Sequence, residues 1–202
     1  MAEKIIEKQS LADITGAFLT NYRKVVVSVC GILVAAVIIY AVAVSVNAKS
    51  VEKGLEKIDE ITYSLTNKSS DLSGADLSTR FETALTGAAS FTGKNGVVGV
   101  RANMLAAEIY FQKKDYEKAR SAWILAAEKG KNSYTAPLAY FNAAVCSEEL
   151  NDADSALKYY SSAASAADFY ESAHALFSAG RIQESKQDFS AAKDSYQKLV
   201  DA

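Results

Sequence analysis

The chain has 202 residues, half of them apolar and only one a proline, which is enough for one helical domain with an appendage. Its formal net charge is −2 and no basic stripe is interleaved with aromatic residues, which argues against a nucleic-acid partner. His174 is the single histidine, and Cys30 and Cys146 lack the spacing of metal ligands. We therefore expect no enzyme activity, no metal site and no cofactor.

The first 46 residues divide into a charged head and an apolar run. Residues 1–24 mix basic and acidic side chains and predict a short cytosolic segment. Residues 25–46 contain no charge, and as a helix they span about 33 Å, enough to cross a hydrocarbon core of about 30 Å. They predict a transmembrane helix that acts as an uncleaved signal anchor.

Two other interpretations of the apolar run are a cleaved signal peptide and a lipoprotein modified at Cys30, and both are less well supported than the anchor. The run is longer than the core of a signal peptide, and most of it follows Cys30 rather than preceding it. Basic residues flank both ends, but Arg23 and Lys24 directly abut the N-terminal end. This favours an N-terminus inside the cytoplasm and the remaining chain outside, which in a bacterium is the periplasm.

Residues 47–99 predict two juxtamembrane helices separated by a loop at 67–74. An apolar stripe recurs every three or four residues along the first helix: Val51, Leu55, Ile58, Thr62 and Leu65. The second helix is expected at about 76–91, followed by a glycine-rich turn at 92–99. The two helices form either a degenerate first pair that caps the next domain or a short coiled coil, and a stripe of about two heptads favours the cap.

Residues 100–202 repeat one motif three times. Each copy has an aspartate, a mostly aromatic residue, then an alanine and, four positions later, an aromatic residue. The alanines are Ala119, Ala156 and Ala192, so the copies are 37 and 36 residues apart, a period that predicts an α-solenoid. We expect the aspartate to cap the second helix of each pair, the alanine to let two helices cross closely, and the aromatic to fill the space beyond.

The motif resembles the tetratricopeptide repeat (TPR). The residues that carry the resemblance are Ala107, Tyr110, Tyr116, Ala119, Trp123 and Ala126 in the first unit, Ala144, Ala156, Tyr160 and Ala163 in the second, and Gly180, Phe189, Ala192, Tyr196 and Leu199 in the third. Ser147, Ala153 and Gln183 depart from the usual aromatic positions, and every unit lacks the terminal proline. The expected fold is all-α, with one N-terminal transmembrane helix followed by a TPR-like α-solenoid of stacked antiparallel helix pairs in residues 100–202.

The resemblance implies a groove for peptides or protein surfaces, lined by the first helix of each pair. Transferred by register, the groove residues are Arg101, Met104, Glu108, Phe111, Gln112, Leu138, Phe141, Val145, Glu148, Glu149, His174, Phe177, Arg181 and Glu184. The apolar members would anchor a partner and the charged ones would set its orientation, although Phe141 and Phe177 are equally well explained as core residues. The last helix should also leave an apolar face partly bare, at Phe189, Tyr196 and Leu199, which predicts a surface for self-association or a partner.

The whole layout resembles the bacterial inner-membrane TPR proteins of the YfgM type, ancillary subunits of the SecYEG translocon. The likeness consists of residues 18–24, Phe-Leu-Thr-Asn-Tyr-Arg-Lys, leading into one anchor that precedes a small TPR domain. It implies a periplasmic scaffold, held in the inner membrane, that links the translocon and emerging secreted chains to chaperones. Two alternatives are an envelope or division scaffold with other partners, and a cytosol-facing import receptor resembling the mitochondrial presequence receptor.

Overall fold

The computed structural model describes residues 16, 18, 20–69 and 73–201. Its helices are α1 (Arg23–Thr66), α2 (Gly74–Thr92), α3 (Gly96–Gln112), α4 (Tyr116–Lys129), α5 (Thr135–Glu149), α6 (Ala153–Ala164), α7 (Ser172–Ser185) and α8 (Phe189–Asp201). No strand occurs among the described residues, and consecutive helices from α2 to α8 pack against each other, including α6 and α7, which are joined by a longer connection. The predicted all-α class is confirmed.

The chain forms two compact units, which divide between Ser50 and Val51. In the first unit the uncharged run 25–46 is helical and almost wholly exposed, and most of the predicted cytosolic segment lies outside the described residues. By length and composition α1 could cross a membrane, and it is the one helix in the described part of the chain that meets these criteria.

The second unit begins with a core shared by the last part of α1, by α2 and by α3. The buried residues of this core are Ile58, Ile61, Leu65, Phe81, Ala84, Ala88, Val98, Ala102, Leu105 and Ile109. The apolar stripe of α1 therefore packs against α2 and α3 of its own chain. The predicted loop ends at Ser73, whose hydroxyl caps α2 by accepting the N–H of Asp76 at 3.2 Å.

The glycine-rich turn is shorter than predicted, because α3 begins at Gly96 rather than after Gly99. Gly96 has φ of 65°, a left-handed conformation that glycine adopts without strain, so the reversal is complete by that residue. Residues 96–99 then form the first turn of α3. Gly99 is required there because a Cβ would overlap the carbonyl group of Lys94.

The turn between the two helices of each TPR-like pair is built the same way three times. The residue before the aspartate has a left-handed backbone, with φ of 59°, 57° and 62° at Lys114, Asn151 and Gln187. The aspartate donates its backbone N–H to the end of the first helix, as from Asp115 to Tyr110 at 2.9 Å. Its carboxylate also accepts the N–H three residues on, from Lys118, Ser155 and Ala191. The predicted caps at Asp115, Asp152 and Asp188 are thus confirmed.

The small residues of the motif lie where the helices cross. Ala119 and Ala156 are fully buried and Ala192 is 4% exposed, so the predicted close crossing is confirmed. In the third unit Gly180 takes the place of an alanine because a Cβ there would lie 2.5 Å from the ring of Tyr196. The aromatics Trp123 and Tyr160 are buried, whereas Tyr196 is half-buried since no described helix follows α8.

The first helices of successive pairs run parallel. Gly54 of α1 approaches Val98 of α3, and further along both helices Asp59 pairs with Arg101. In the same way Phe141 of α5 contacts His174 of α7, and a later residue of α5, Glu148, pairs with Arg181. Gly130, after α4, lies close to both Val100 of α3 and Thr135 of α5. The starts of α3, α5 and α7 therefore lie along one edge of the second unit, which we call the N-terminal edge and define as residues 94–98, 131–136 and 168–173.

Candidate functional site

The predicted groove residues occupy equivalent positions of the three first helices. They form columns such as Met104, Phe141 and Phe177, in which the members are separated by the repeat lengths of 37 and 36 residues. None of the predicted residues is buried. Phe111 is 37% exposed and Phe177 is 50% exposed, so both rings are available to a partner.

Three of the predicted residues line one cavity. Arg101, Met104 and Glu108 of α3 face a space of about 580 Å³ that also has Ile58 of α1 in its wall. Another part of the wall is formed by residues 129–135, at the connection between α4 and α5. The cavity is largely apolar, because Val100, Met104 and Leu105 contribute side chains to it. Its size and composition are those of a site that takes a side chain or a short peptide segment.

The charges in this cavity are only partly offset. Arg101 donates to the carboxylate of Asp59, and the Lys129 ammonium donates to the carbonyl of Gly93 at 3.3 Å. Glu108 forms no ion pair within the described part of the chain, and desolvation against the protein raises the pKa of its carboxyl group above the usual value. A carboxylate in this position can accept a hydrogen bond or pair with a cation supplied by a ligand.

The predicted groove residues of the second TPR repeat pack against the third repeat. The ring of Phe141 has its centroid 5.4 Å from that of Tyr160, 6.1 Å from that of Phe169 and 5.0 Å from that of His174. Leu138 and Val145 are half-buried against the same core. These residues stabilise the junction between repeats while part of each side chain remains exposed.

A hydrogen-bonded network joins α5, α6 and α7. The Tyr160 hydroxyl donates to Oε2 of Glu148 at 2.6 Å, and Arg181 donates to the other carboxylate oxygen. In the third unit the Tyr196 hydroxyl donates to Glu184 at 3.2 Å. Burial, and then the bond to Glu148, raise the pKa of the Tyr160 phenol. Glu148 and Arg181 therefore offset each other before any partner binds.

The remaining predicted residues lie outside the cavity and the network. Phe111 packs edge-to-face on Tyr116 with ring centroids 5.4 Å apart, at the turn between α3 and α4. Gln112 and Glu149 are exposed at the ends of α3 and α5, whereas Glu148 is half-buried. Phe177 lies beside Tyr196, with ring centroids 6.1 Å apart.

Sequence reasoning missed the part of the cavity that does not belong to the first helices. Residues 129–135 connect two pairs and have no fixed place in the repeat pattern. Ile58 belongs to the apolar stripe of α1 and was interpreted only as a packing residue, although it also lines the cavity. The one available signal was Tyr134, an aromatic residue in an otherwise polar connection, which proves 90% exposed.

Ionisable groups elsewhere do not form a reactive site among the residues that the structure describes. No group of three or more His, Cys, Asp or Glu side chains there is placed to hold a metal ion. Cys146 is fully buried, and desolvation raises the pKa of its thiol to about 12. This thiol is protonated at neutral pH and is not a nucleophile in the folded chain.

Comparison with known proteins agrees with the helix-pair architecture. The tetratricopeptide repeat family matches residues 78–135 and 148–202, more than half of the chain. A "TPR repeat-containing protein" of Treponema pallidum (strain Nichols) is 34% identical over 113 residues, which cover 56% of this chain and 47% of that relative. The chain thus spans about half the length of the relative. TPR repeats serve as scaffolds for protein–protein interaction, and this chain belongs to the tetratricopeptide repeat family.

Proposed function

We propose that this protein is a single-pass membrane-anchored scaffold whose TPR unit binds protein segments outside the cytoplasm and links the secretion translocon to periplasmic chaperones. The observation that carries the binding role is the cavity of about 580 Å³ on α3, at predicted groove positions. An apolar side chain of the partner would enter beside Met104, and Glu108 would orient the bound segment by accepting a hydrogen bond from a backbone N–H or a polar side chain of the partner. Phe177 would extend the contact along α7.

Membrane anchorage is supported by the exposed, uncharged run of α1 and by Arg23 and Lys24 before it. Fusion of alkaline phosphatase or a fluorescent protein after Ala202 tests the orientation in the bacterial inner membrane. Phosphatase activity without fluorescence is expected if the TPR unit is periplasmic. Fluorescence of the fluorescent-protein fusion together with an inactive phosphatase fusion would contradict this location and favour the cytosol-facing import receptor.

The translocon and chaperone link is supported by the resemblance of the layout to YfgM-type proteins. A photoreactive amino acid placed at Phe111 or Phe141 in cells tests it, with Leu125 on the second helix α4, 45% exposed, as the matched control position. Adducts with translocon subunits, chaperones or secreted chains from the first-helix positions are expected. Adducts confined to cell-division or other envelope proteins would contradict the link and favour the alternative scaffold.

Self-association through α8 is a second candidate role, favoured by an exposed apolar face. Phe189 is 66% exposed and Val200 is 78% exposed, and together with Tyr196 they border a shallow cleft. Analytical ultracentrifugation of the full chain in detergent tests this role. We expect an oligomer that Phe189→Asp with Val200→Asp converts to a monomer, whereas a wild-type monomer at all concentrations would rule it out.

A further inference from the structure

Three exposed apolar or aromatic side chains recur at the start of successive first helices. Val97, Tyr134 and Tyr170 are separated by 37 and 36 residues, so they occupy one repeat position. They are 48%, 90% and 75% exposed. Tyr134 has no ring or hydrogen-bond partner among the described residues, and the ring of Tyr170 contacts that of Phe169 with centroids 5.4 Å apart. Packing within the chain therefore does not explain why this position carries large side chains.

The three residues lie on the N-terminal edge, because α3, α5 and α7 run parallel. Val97 and Tyr134 also line the same cavity, so the starts of α3 and α5 lie on the same side of the TPR unit. The second compact unit starts at Val51, five residues after the uncharged run ends, and Gly54 one turn later is close to Val98. The point at which the chain enters the TPR unit is therefore on this edge as well.

The polar groups of the edge suit the surface of a lipid bilayer. The exposed Lys94 and Lys131 neighbour Val97 and Tyr134, while Asp168 and Glu171 accompany Tyr170. Tyrosine is enriched where hydrocarbon meets headgroups, since its ring is apolar and its hydroxyl is polar. Lysine can reach lipid phosphates while its stem covers apolar surface. The two acidic residues predict that contact is closer at Tyr134 than at Tyr170.

We propose that the N-terminal edge of the TPR unit rests on a phospholipid bilayer, with Tyr134 and Tyr170 among the headgroups and Lys94 and Lys131 beside lipid phosphates. The inference rests on the proposed membrane anchorage and adds a second, peripheral contact to it. The edge borders the protein-binding cavity, which Val97, Lys131 and Tyr134 also line, whereas Met104 and Glu108 lie further along α3 from the edge.

Tryptophan fluorescence in proteoliposomes tests this contact. The full chain carrying Tyr134→Trp or Tyr170→Trp is reconstituted in phosphatidylethanolamine and phosphatidylglycerol vesicles, with and without bromine on the acyl chains near the headgroups. The native Trp123 is 5% exposed and supplies a constant background. The matched control is Phe189→Trp, an exposed aromatic position at the start of α8, which runs antiparallel to the first helices and begins at the opposite edge.

Brominated lipid is expected to reduce the fluorescence of the Tyr134→Trp and Tyr170→Trp proteins and to leave the Phe189→Trp protein unchanged. Equal quenching of all three proteins, or of none, overturns the bilayer contact. Protection of the edge tryptophans from both brominated lipid and aqueous iodide also overturns it, in favour of a protein partner. If alkaline carbonate extracts the chain from the vesicles, the anchor itself fails; if the chain stays but is not quenched, only this inference fails.

Discussion

Replacing Tyr160 by phenylalanine should lower the free energy of unfolding, because it removes the hydroxyl that joins α6 to Glu148 of α5. Tyr160 is 2% exposed and its hydroxyl donates to a carboxylate at 2.6 Å. Phenylalanine keeps the ring and its contact with Phe141, so the substitution isolates the hydrogen bond. Glu148 keeps its second partner, Arg181, and is not left as an unpaired charge.

The expected loss is at the lower end of the range for hydrogen bonds to charged groups. Such bonds contribute about 1.5–3 kcal/mol, and the Glu148 side chain is 27% exposed, so water partly replaces the lost donor. We expect about 1.5 kcal/mol for the Tyr160→Phe protein, equivalent to about 3–6 °C in Tm for a unit of this size. Thermal unfolding of the full chain in detergent, followed by circular dichroism, measures this difference.

The repeat supplies a matched control in Tyr196→Phe. Its hydroxyl donates to Glu184 at the longer distance of 3.2 Å on an exposed surface, so the Tm of this variant should fall by less than that of Tyr160→Phe. Equal shifts for the two variants, or no shift for Tyr160→Phe, would refute the importance assigned to the Glu148 network.

The same network has a pH dependence of known sign. The pKa of the Tyr160 phenol is raised in the folded chain above its value of about 10 in the unfolded chain. The contribution of this hydroxyl to the free energy of unfolding is therefore fully present below about pH 10 and is lost as the pH rises toward the folded-state pKa. The difference in unfolding free energy between wild type and Tyr160→Phe should therefore be constant at neutral pH and narrow above about pH 10.

Two further outcomes follow from the packing. Gly99→Ala should destabilise the protein by about 3 kcal/mol or more, because a Cβ would overlap the Lys94 carbonyl. Gly93→Ala, with open space around it, should stay within about 0.5 kcal/mol of wild type. Thermal unfolding measures both variants, and equal stabilities would contradict the tight turn. Iodoacetamide should leave Cys146 unmodified in the folded chain and alkylate it in denaturant, as read by peptide mass spectrometry, whereas rapid alkylation of the folded chain would contradict its burial.

Local rules explain why much of the fold was predictable. A cap needs one aspartate and the N–H three residues later, so Asp115, Asp152 and Asp188 could be assigned from a short pattern. The crossing alanines follow from a position repeated three times. The start of α3 was predicted too late because the three glycines of residues 92–99 look like a continuous turn, although only Gly96 adopts a left-handed backbone in the structure.

The site was less predictable because it depends on side chains from elements far apart in sequence. Register identified Arg101, Met104 and Glu108 as surface positions, but the cavity exists only because α1 and residues 129–135 close around them. The Glu148 network has a signal in the sequence. In the second and third repeats the second helix carries a tyrosine, Tyr160 or Tyr196, and the first helix carries the glutamate that accepts its hydrogen bond. In the first repeat the corresponding residues are Trp123 and Phe111, which cannot form this bond.

The most direct test of the binding face is the retention of a partner first captured by crosslinking from Phe111 or Phe141. Met104→Asp, inside the cavity, is compared with Leu125→Asp, an equally drastic change on α4, after circular dichroism shows that both proteins are folded. Removing a buried apolar side chain from an interface costs about 1.5–3 kcal/mol, so the affinity of the Met104→Asp protein should fall by about tenfold or more. The Leu125→Asp protein should bind as wild type does. Unchanged binding by Met104→Asp, or an equal loss in both variants, would contradict the assignment of the first-helix cavity as the binding site.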